Sequence, residues 1–175
     1  MDVTPDAEGD GSEPGADLES RWLTSEEQDA WTSMATLLLL LPGVLDAQLQ
    51  RDAGLSMFDY LVLSGLSMAE NHTVRMSELA EMTNGSLSRL SNVVSRLEQR
   101  GWVQRTPDPA DGRYTNAALT DAGWQLVVQA APGHVDAVRK FVIEPLTATQ
   151  IRTLRGIGPR IMREIKRTRP GAVRP

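Results

Sequence analysis

The feature that most constrains the fold is a change of sequence pattern at Gly101. In residues 86–100, four apolar side chains repeat at helical spacing and fall within about a 100° arc; they are Leu90, Val93, Val94 and Leu97. From Trp102 to Leu119, two short strand-like runs flank the dense turn at 107–112. These patterns predict a helix that ends at Gly101 and is followed by a hairpin, which needs neighbouring helices for stability.

Further helices are predicted before residue 86. The first begins at a capping box formed by Thr24 and Glu27, and Pro42-Gly43 is expected to kink or break it. A second helix, residues 55–69, places four side chains at core spacing; they are Phe58, Leu61, Val62 and Leu66. A polar loop at 70–73 and a short helix from Ser77 follow, and residues 83–85 form a turn before Ser86, which caps the next helix.

Two more helices are predicted after the hairpin. One opens at Thr120-Asp121, is expected to bend at Pro132-Gly133 and ends at Pro145. The last opens at a capping box of Thr147 and Gln150. Its apolar residues are expected to face inward: Ile151, Leu154, Ile157, Ile161 and Ile165. The predicted fold is therefore mainly α with a two-stranded β wing.

Charge and composition divide the chain into segments. Residues 1–30 hold ten acidic residues and one Arg, so the remaining chain is mildly basic although the whole carries −5. We expect a disordered acidic tail at 1–20 and a flexible tail at 169–175. Between them, we predict an N-terminal helical region at 21–54, a central domain at 55–120 and C-terminal helices at 121–168.

Composition argues against several classes of function. The chain has no Cys and only two His, which lie far apart, so no nucleophile, metal or cofactor site is expected, and no enzyme activity. The most apolar run, Met34–Leu41, is shorter than the roughly 20 residues of a membrane span. No signal peptide is evident, so we expect a cytoplasmic protein without a membrane partner.

The polar side of the 86–100 helix points to DNA. It carries hydroxyls, one amide and two guanidiniums with no acid among them, and we expect it to face outward, unobstructed. These groups are Ser88, Arg89, Asn92, Ser95 and Arg96. Arg pairs with guanine and Asn with adenine in the major groove of duplex DNA. A solvated surface helix gives the same pattern, but the preceding helix and turn complete a helix-turn-helix, and Arg105 and Arg113 flank the hairpin tip, where cations can enter the minor groove.

Five segments in order resemble the MarR family of winged helix-turn-helix transcription regulators over roughly residues 24–168. They are LSMFDYLVL (55–63), SELA (77–80), VSRLEQRGWV (94–103), the pattern Arg105…Asp108-Pro109…Asp111-Gly-Arg113, and LTDAG (119–123). The resemblance implies a bacterial homodimer with the first and last helices at its interface. It implies contacts to double-stranded DNA from Ser86 and the polar face, with Asp111 orienting the wing and Arg113 in the minor groove. Gly112 departs from the family, which often has Arg there.

The resemblance also implies a small aromatic or phenolic effector. Candidate effector-binding residues are Trp31, Met34, Met57, Tyr60 and His134, with His72 as a further candidate. Each also fits a plainer role: Trp and Met at helical spacing are usually core, His72 lies in a polar loop where solvation is expected, and His134 lies beside a proline that frees a carbonyl.

The predicted function is that of a DNA-binding regulator, most simply a repressor that recognises a pseudo-palindromic operator as a homodimer. The alternative is a winged-helix module that docks another protein without sequence-specific DNA binding. The alternative predicts that Arg89 and Arg96 are dispensable.

Overall fold

The computed structural model describes residues 22–168, so the predictions for the two tails lie outside the described residues, and the chain divides between Leu40 and Leu41 into two units. The regular elements are α1 (Ser25–Ala53), α2 (Met57–Met68), β1 (Thr73–Arg75), α3 (Met76–Met82), α4 (Leu87–Gln99), β2 (Val103–Pro107), β3 (Thr115–Leu119), α5 (Asp121–Val138) and α6 (Ala148–Thr168). A 3-10 turn at Glu70–His72 precedes β1, and a π-helical stretch at Arg139–Ile143 follows α5.

Helix α1 begins at the predicted capping box. The Thr24 N–H donates to Glu27 Oε2 at 2.9 Å, and the Glu27 N–H donates to Thr24 Oγ1 at 3.3 Å, which confirms the helix start. Of the kink or break predicted at Pro42-Gly43, the break is wrong, because the helix continues to Ala53 with Pro42 inside it. A proline removes one backbone hydrogen bond, and the Leu-rich sequence around it favours helix strongly enough to continue.

The leucines of the first unit are exposed. Leu37 to Leu40 all lie largely open to solvent. Over its whole length α1 is also long and apolar enough to cross a membrane by length and composition, although core helices of soluble proteins meet the same criterion. The apolar run Met34–Leu41, which was judged too short for a membrane span, stops before Pro42, whereas the helix continues past that proline.

The core of the second unit lies where α2, α3 and α4 meet the sheet. Its fully buried side chains include Leu63, Leu66, Leu79, Leu90 and Leu97. The helical spacing predicted for α2 is confirmed at Val62 and Leu66, but Leu61 is 40% exposed and its assignment to the core is wrong. Leu61 lies one position before Val62, a 100° rotation that carries it off the buried face.

The sheet has three strands rather than the predicted two. The order is β1-β3-β2 and both pairings are antiparallel. The missed strand β1 follows the 3-10 turn at Glu70–His72, which sequence had assigned with Thr73 to a polar loop. Its central Val74 pairs with the fully buried Ala117. Three residues are too few to show alternation, so the strand exists only because β3 offers a free edge.

Two glycines allow close packing around the helix-turn-helix and wing. A Cβ on Gly85 would lie 2.8 Å from Phe58 Cζ, and one on Gly123 would lie 2.1 Å from the Trp102 carbonyl oxygen. The predicted turn at 83–85 is confirmed, with Asn84 at φ 52°. Gly101, at φ 75°, ends α4 as predicted, because glycine adopts the left-handed conformation without steric cost.

Helices α5 and α6 complete the chain. Helix α5 is capped by Thr120 and continues through Pro132 to Val138. The capping box before α6 is confirmed, since the Thr147 N–H donates to Gln150 Oε1 at 2.8 Å and the Gln150 N–H donates to Thr147 Oγ1. The expectation that the apolar side of α6 faces inward is wrong for a single chain. No residue of α6 is buried, and Leu154 and Ile165 are 47% and 54% exposed, because no other part of the described chain covers that side.

Candidate nucleic-acid interface

Helix α4 separates a buried apolar side from an exposed polar side. The four predicted apolar residues are all buried: Leu90, Val93, Val94 and Leu97. Ser86 caps the helix, its hydroxyl accepting the Arg89 N–H at 3.2 Å. Ser88 and Asn92 are exposed on the opposite side, and Ser95 is half-buried. The core therefore fixes the rotation of α4 about its axis, and with it the direction of the polar side chains.

Two arginines of this polar side are exposed, but each contacts a side chain of α2. The Arg89 guanidinium lies 4.0 Å from the centre of the Phe58 ring, and Arg96 Nη2 lies 2.7 Å from Asp59 Oδ1. The other carboxylate oxygen of Asp59 accepts the N–H and the hydroxyl of Ser56, the capping box of α2. Helix α2 therefore orients both guanidiniums. Sequence could not show this, because Asp59 and Arg96 are 37 positions apart.

The wing carries its own ion pair at the tip. Arg113 Nη2 lies 2.6 Å from Asp111 Oδ2, and the Arg113 N–H donates to Asp111 Oδ1 at 3.1 Å. These hydrogen bonds from the guanidinium and the backbone hold the pKa of the Asp111 carboxyl below its ordinary value. The Arg113 side chain is 85% exposed. The Asp111 carboxylate thus orients a guanidinium that projects from the protein.

Arg105 turns back toward α4. Its guanidinium lies 2.7 Å from Glu98 Oε2, and its N–H donates to Glu98 Oε1 at 3.0 Å. The backbone and guanidinium hydrogen bonds from Arg105 lower the pKa of Glu98. The charge of Arg105 is therefore offset by a carboxylate on the helix, so this residue fixes β2 on α4.

A groove of about 290 Å³ separates α4 from the wing. Its lining residues come from four parts of the chain, and most of them are polar. They are Arg75, Met76, Ser77, Leu87, Ser91, Arg105, Arg113, Tyr114 and Thr115. Sequence analysis missed five of the polar ones, namely Arg75, Ser77, Ser91, Tyr114 and Thr115. Arg75 lies on the unrecognised strand β1, and only the β1–β3 pairing brings it to the wing.

Two of the candidate effector residues meet in the second unit. The rings of Tyr60 and His134 lie 4.6 Å apart, and His134 Nδ1 is buried with no hydrogen-bond partner among the described residues. Burial lowers the pKa of His134 and raises the pKa of Tyr60. The expectation that His134 satisfies a freed carbonyl is therefore unsupported at Nδ1. Met57 packs half-buried against the core.

The other candidates each have their own surroundings. Trp31 is exposed and Met34 is half-buried, both in the first unit. His72 was expected to be solvated, which is wrong, because its ring lies 4.8 Å from that of Trp124 and its Nδ1 is buried. The 3-10 turn, with Asn71 and His72 at positive φ, turns the imidazole inward. Among residues 22–168, no group of His, Asp and Glu could hold a metal ion.

Comparison with known proteins places this geometry among transcription regulators. The sequence profile of the MarR family matches residues 53–113. Sco3205, a MarR family regulator of Streptomyces coelicolor solved in complex with DNA, is 43% identical, with a TM-score of 0.77 over 86% of this chain and 93% of that one. AbsC, a MarR family regulator from the same organism, is 37% identical, with a TM-score of 0.78 over 83% of this chain and 98% of that one.

A curated relative matches a shorter region. The transcriptional repressor MprA of Escherichia coli is 29% identical over 73 residues, which are 42% of this chain and 42% of that protein. The chain therefore aligns with less than half the length of this relative. The family profile covers the helix-turn-helix and most of the wing, whereas the two solved structures extend the similarity over most of the chain.

Proposed function

The chain belongs to the MarR family of transcription regulators, a DNA-binding and non-enzymatic family, and we propose that it represses transcription as a homodimer bound to a pseudo-palindromic operator. In this proposal, α4 lies in the major groove and the wing reaches the adjacent minor groove. The polar side of α4 and the wing arginine supply the contacts. Because its partner is bacterial chromosomal DNA, we place the protein in the cytoplasm.

One observation carries this proposal. Helix α4 buries its four predicted apolar residues while Ser88 and Asn92 remain exposed, and the groove beside them leads to the projecting Arg113. An exposed helix face with amide and hydroxyl groups can read base edges. An arginine on a narrow projection suits the negative potential of the minor groove.

The homodimer is supported by exposed apolar side chains on the C-terminal helices. Helix α6 carries a continuous exposed stripe: Leu154, Ile157, Ile161, Met162 and Ile165. Val128 and Val135 on α5 are also exposed. A monomer rarely leaves so many large apolar side chains open, and a second copy would cover them. A symmetric pair would present two α4 helices to half-sites about one helical turn apart.

The Tyr60–His134 pair is our candidate effector site. It combines two aromatic rings with an imidazole nitrogen that has no hydrogen-bond partner within residues 22–168, so it offers both stacking and a hydrogen bond to an aromatic or phenolic compound. Tyr60 directly follows Asp59, which holds Arg96 on α4. A ligand that displaces Tyr60 would therefore disturb the orientation of Arg96.

Selection from fragmented genomic DNA, followed by anisotropy titration of the recovered duplex, tests the function. We expect nanomolar binding that weakens steeply with salt, because phosphate contacts release counterions. Charge reversal at Arg89 and Arg96 is expected to abolish selection. Recovery of no enriched sequence, or indifference to that charge reversal, would instead favour a protein-docking module.

A further inference from the structure

Asp108 is a buried carboxylate at the start of the wing tip. Its side chain is only 8% exposed, although it lies in a turn. Oδ1 accepts the N–H of Ala110 at 2.8 Å and that of Asp111 at 3.3 Å, while Oδ2 accepts Nε of Arg75 at 2.7 Å. These hydrogen bonds hold the pKa of Asp108 below its ordinary value, that from Arg75 contributing most. The carboxylate thus closes the turn and ties it to another part of the chain.

Arg75 contacts the wing on both sides of its tip. Besides the ion pair with Asp108, its guanidinium lies 4.5 Å from the centre of the Tyr114 ring. Asp108 and Tyr114 face each other across the tip, the Asp108 N–H donating to the Tyr114 carbonyl at 3.0 Å. Arg75 itself is anchored by the pairing of β1 with β3 and directly precedes α3. One side chain therefore joins the wing tip to the start of the helix-turn-helix.

We propose that Arg75 and Asp108 are positioning residues that fix the wing relative to α4, so that Arg113 reaches DNA at a set distance from the recognition helix. The inference rests on the proposed function and adds residues that act through Arg113. Asp108 carries a negative charge, so it would repel phosphate if it contacted DNA. Its role must therefore be to hold the wing, and Arg75 is the cation that keeps it in place.

The sign of one substitution separates positioning from direct contact. If Arg75 bound a phosphate, Asp108→Asn would release Arg75, remove an acid beside DNA and tighten binding. If the pair positions the wing, Asp108→Asn loosens the turn and weakens binding by about tenfold, a typical effect of losing one wing contact. The slope of log affinity against log salt concentration should also fall by about the amount that one phosphate contact contributes, although Asp108→Asn removes no cation. Asp136→Asn removes an exposed acid on α5 and is the matched control, expected to leave affinity unchanged.

A double-mutant cycle with Arg113 tests the route of the effect. Arg113→Ala is expected to weaken binding about tenfold in the wild-type background. In the Asp108→Asn or Arg75→Ala background the same change should cost less than threefold, because Arg113 has already lost its position. Full additivity of the two effects would overturn the proposal.

A label on the wing gives a readout independent of DNA. The chain has no Cys, and a Cβ on Gly112 would meet no atom within 4 Å, so Gly112→Cys allows a single nitroxide at the tip. Electron paramagnetic resonance should show faster label motion with Arg75→Ala and Asp108→Asn, and no change with Asp136→Asn. Unchanged motion would overturn the proposal, as would tight DNA binding by Asp108→Asn. If the wild type binds no selected duplex, the proposed function fails, while the label still decides whether Arg75 and Asp108 hold the wing.

Discussion

Helices α4 and α6 have the same kind of sequence pattern but differ in how far their apolar sides are buried. Each has an apolar stripe at helical spacing and a polar side rich in arginine. Helix α4 buries four residues of its stripe against its own chain and leaves Leu87 in its first turn exposed, whereas α6 buries none of its residues. Amphipathic periodicity fixes which side of a helix seeks cover, but not what covers it. For α4 the cover is the rest of the central domain, and for α6 we assign it to a second copy.

The polar sides differ as well. On α4 the two arginines are held by Phe58 and Asp59, and the helix borders the groove that leads to the wing. On α6, Arg167 pairs with Glu164 of its own helix, and Arg152 donates to the Thr149 hydroxyl. Oriented groups can discriminate bases, whereas loosely held surface charges supply only a nonspecific attraction. Positive charge on a helix is therefore insufficient to predict the DNA-reading face.

The largest expected effect is on assembly. Ile161→Asp places a charge in the exposed stripe of α6 and should convert the proposed dimer to a monomer at micromolar concentration. Affinity for a two-half-site duplex should then fall by about 100-fold or more, because the two contacts no longer act together. Sedimentation velocity and anisotropy measure the two effects. Arg163→Asp, on the opposite side of the helix, is the control, and equal dissociation by both changes would break the comparison.

The next effect concerns the stability of the central domain. Leu97→Ala removes a side chain that is 1% exposed and should lower the free energy of unfolding by about 2–5 kcal/mol. Ser88→Ala lies on the exposed side of the same helix and should change it by less than about 0.5 kcal/mol. Urea denaturation followed by circular dichroism measures both, and similar losses would mean that α4 is rotated from the orientation described.

A smaller effect separates the polar sides of the two helices. Asn92→Ala should weaken operator binding by about 1–3 kcal/mol and relax the preference at one base pair of each half-site. Arg163→Ala on α6 should leave that preference unchanged. Competition titrations with single-base operator variants give the measurement. Loss of specificity in the α6 variant would show that charge, rather than orientation, governs recognition.

The smallest effect is the pH dependence of stability that comes from His134 on α5. Burial lowers the pKa of His134 from its ordinary 6.5, so the unfolded chain takes up a proton more readily than the folded one. Stability contributed by neutral His134 should therefore be present above about pH 6.5 and decrease as the pH falls below that value. Melting temperatures between pH 7.5 and 5 should decline less steeply for His134→Phe than for the wild type. Parallel curves would contradict this placement of the imidazole.

The sequence predicted most where interactions are local. The caps at Thr24, Ser86 and Thr147 depend on residues three positions away, and all three were predicted correctly. Strand β1 was missed because its three residues are ordered by pairing with a distant strand. The continuity of α1 through Pro42 was missed because a proline rule outweighed the helix-forming residues on both sides.

In the candidate site, too, the sequence predicted residues that lie close together in the chain better than partners that lie far apart. Asp111 and Arg113 lie two positions apart, and the resemblance to the MarR family pointed to both residues, whereas the partners in Asp59–Arg96 and Arg75–Asp108 lie 37 and 33 positions apart and their pairing was not predicted. Arg105 was assigned to DNA from its place on the hairpin, yet its carboxylate partner Glu98 lies on the preceding helix. The sequence predicted side chains for DNA contact but not which of them the fold holds in place.

Site-directed cleavage of DNA tests the central claim, that a symmetric pair of chains sets α4 and the wing on one duplex. An iron–EDTA group attached to Gly112→Cys should cleave the selected operator at two minor-groove positions related by the dyad. The same group on Arg163→Cys of α6 should cleave weakly and at no preferred position on the duplex. A single cleavage cluster, or equal cleavage from α6, would contradict the account.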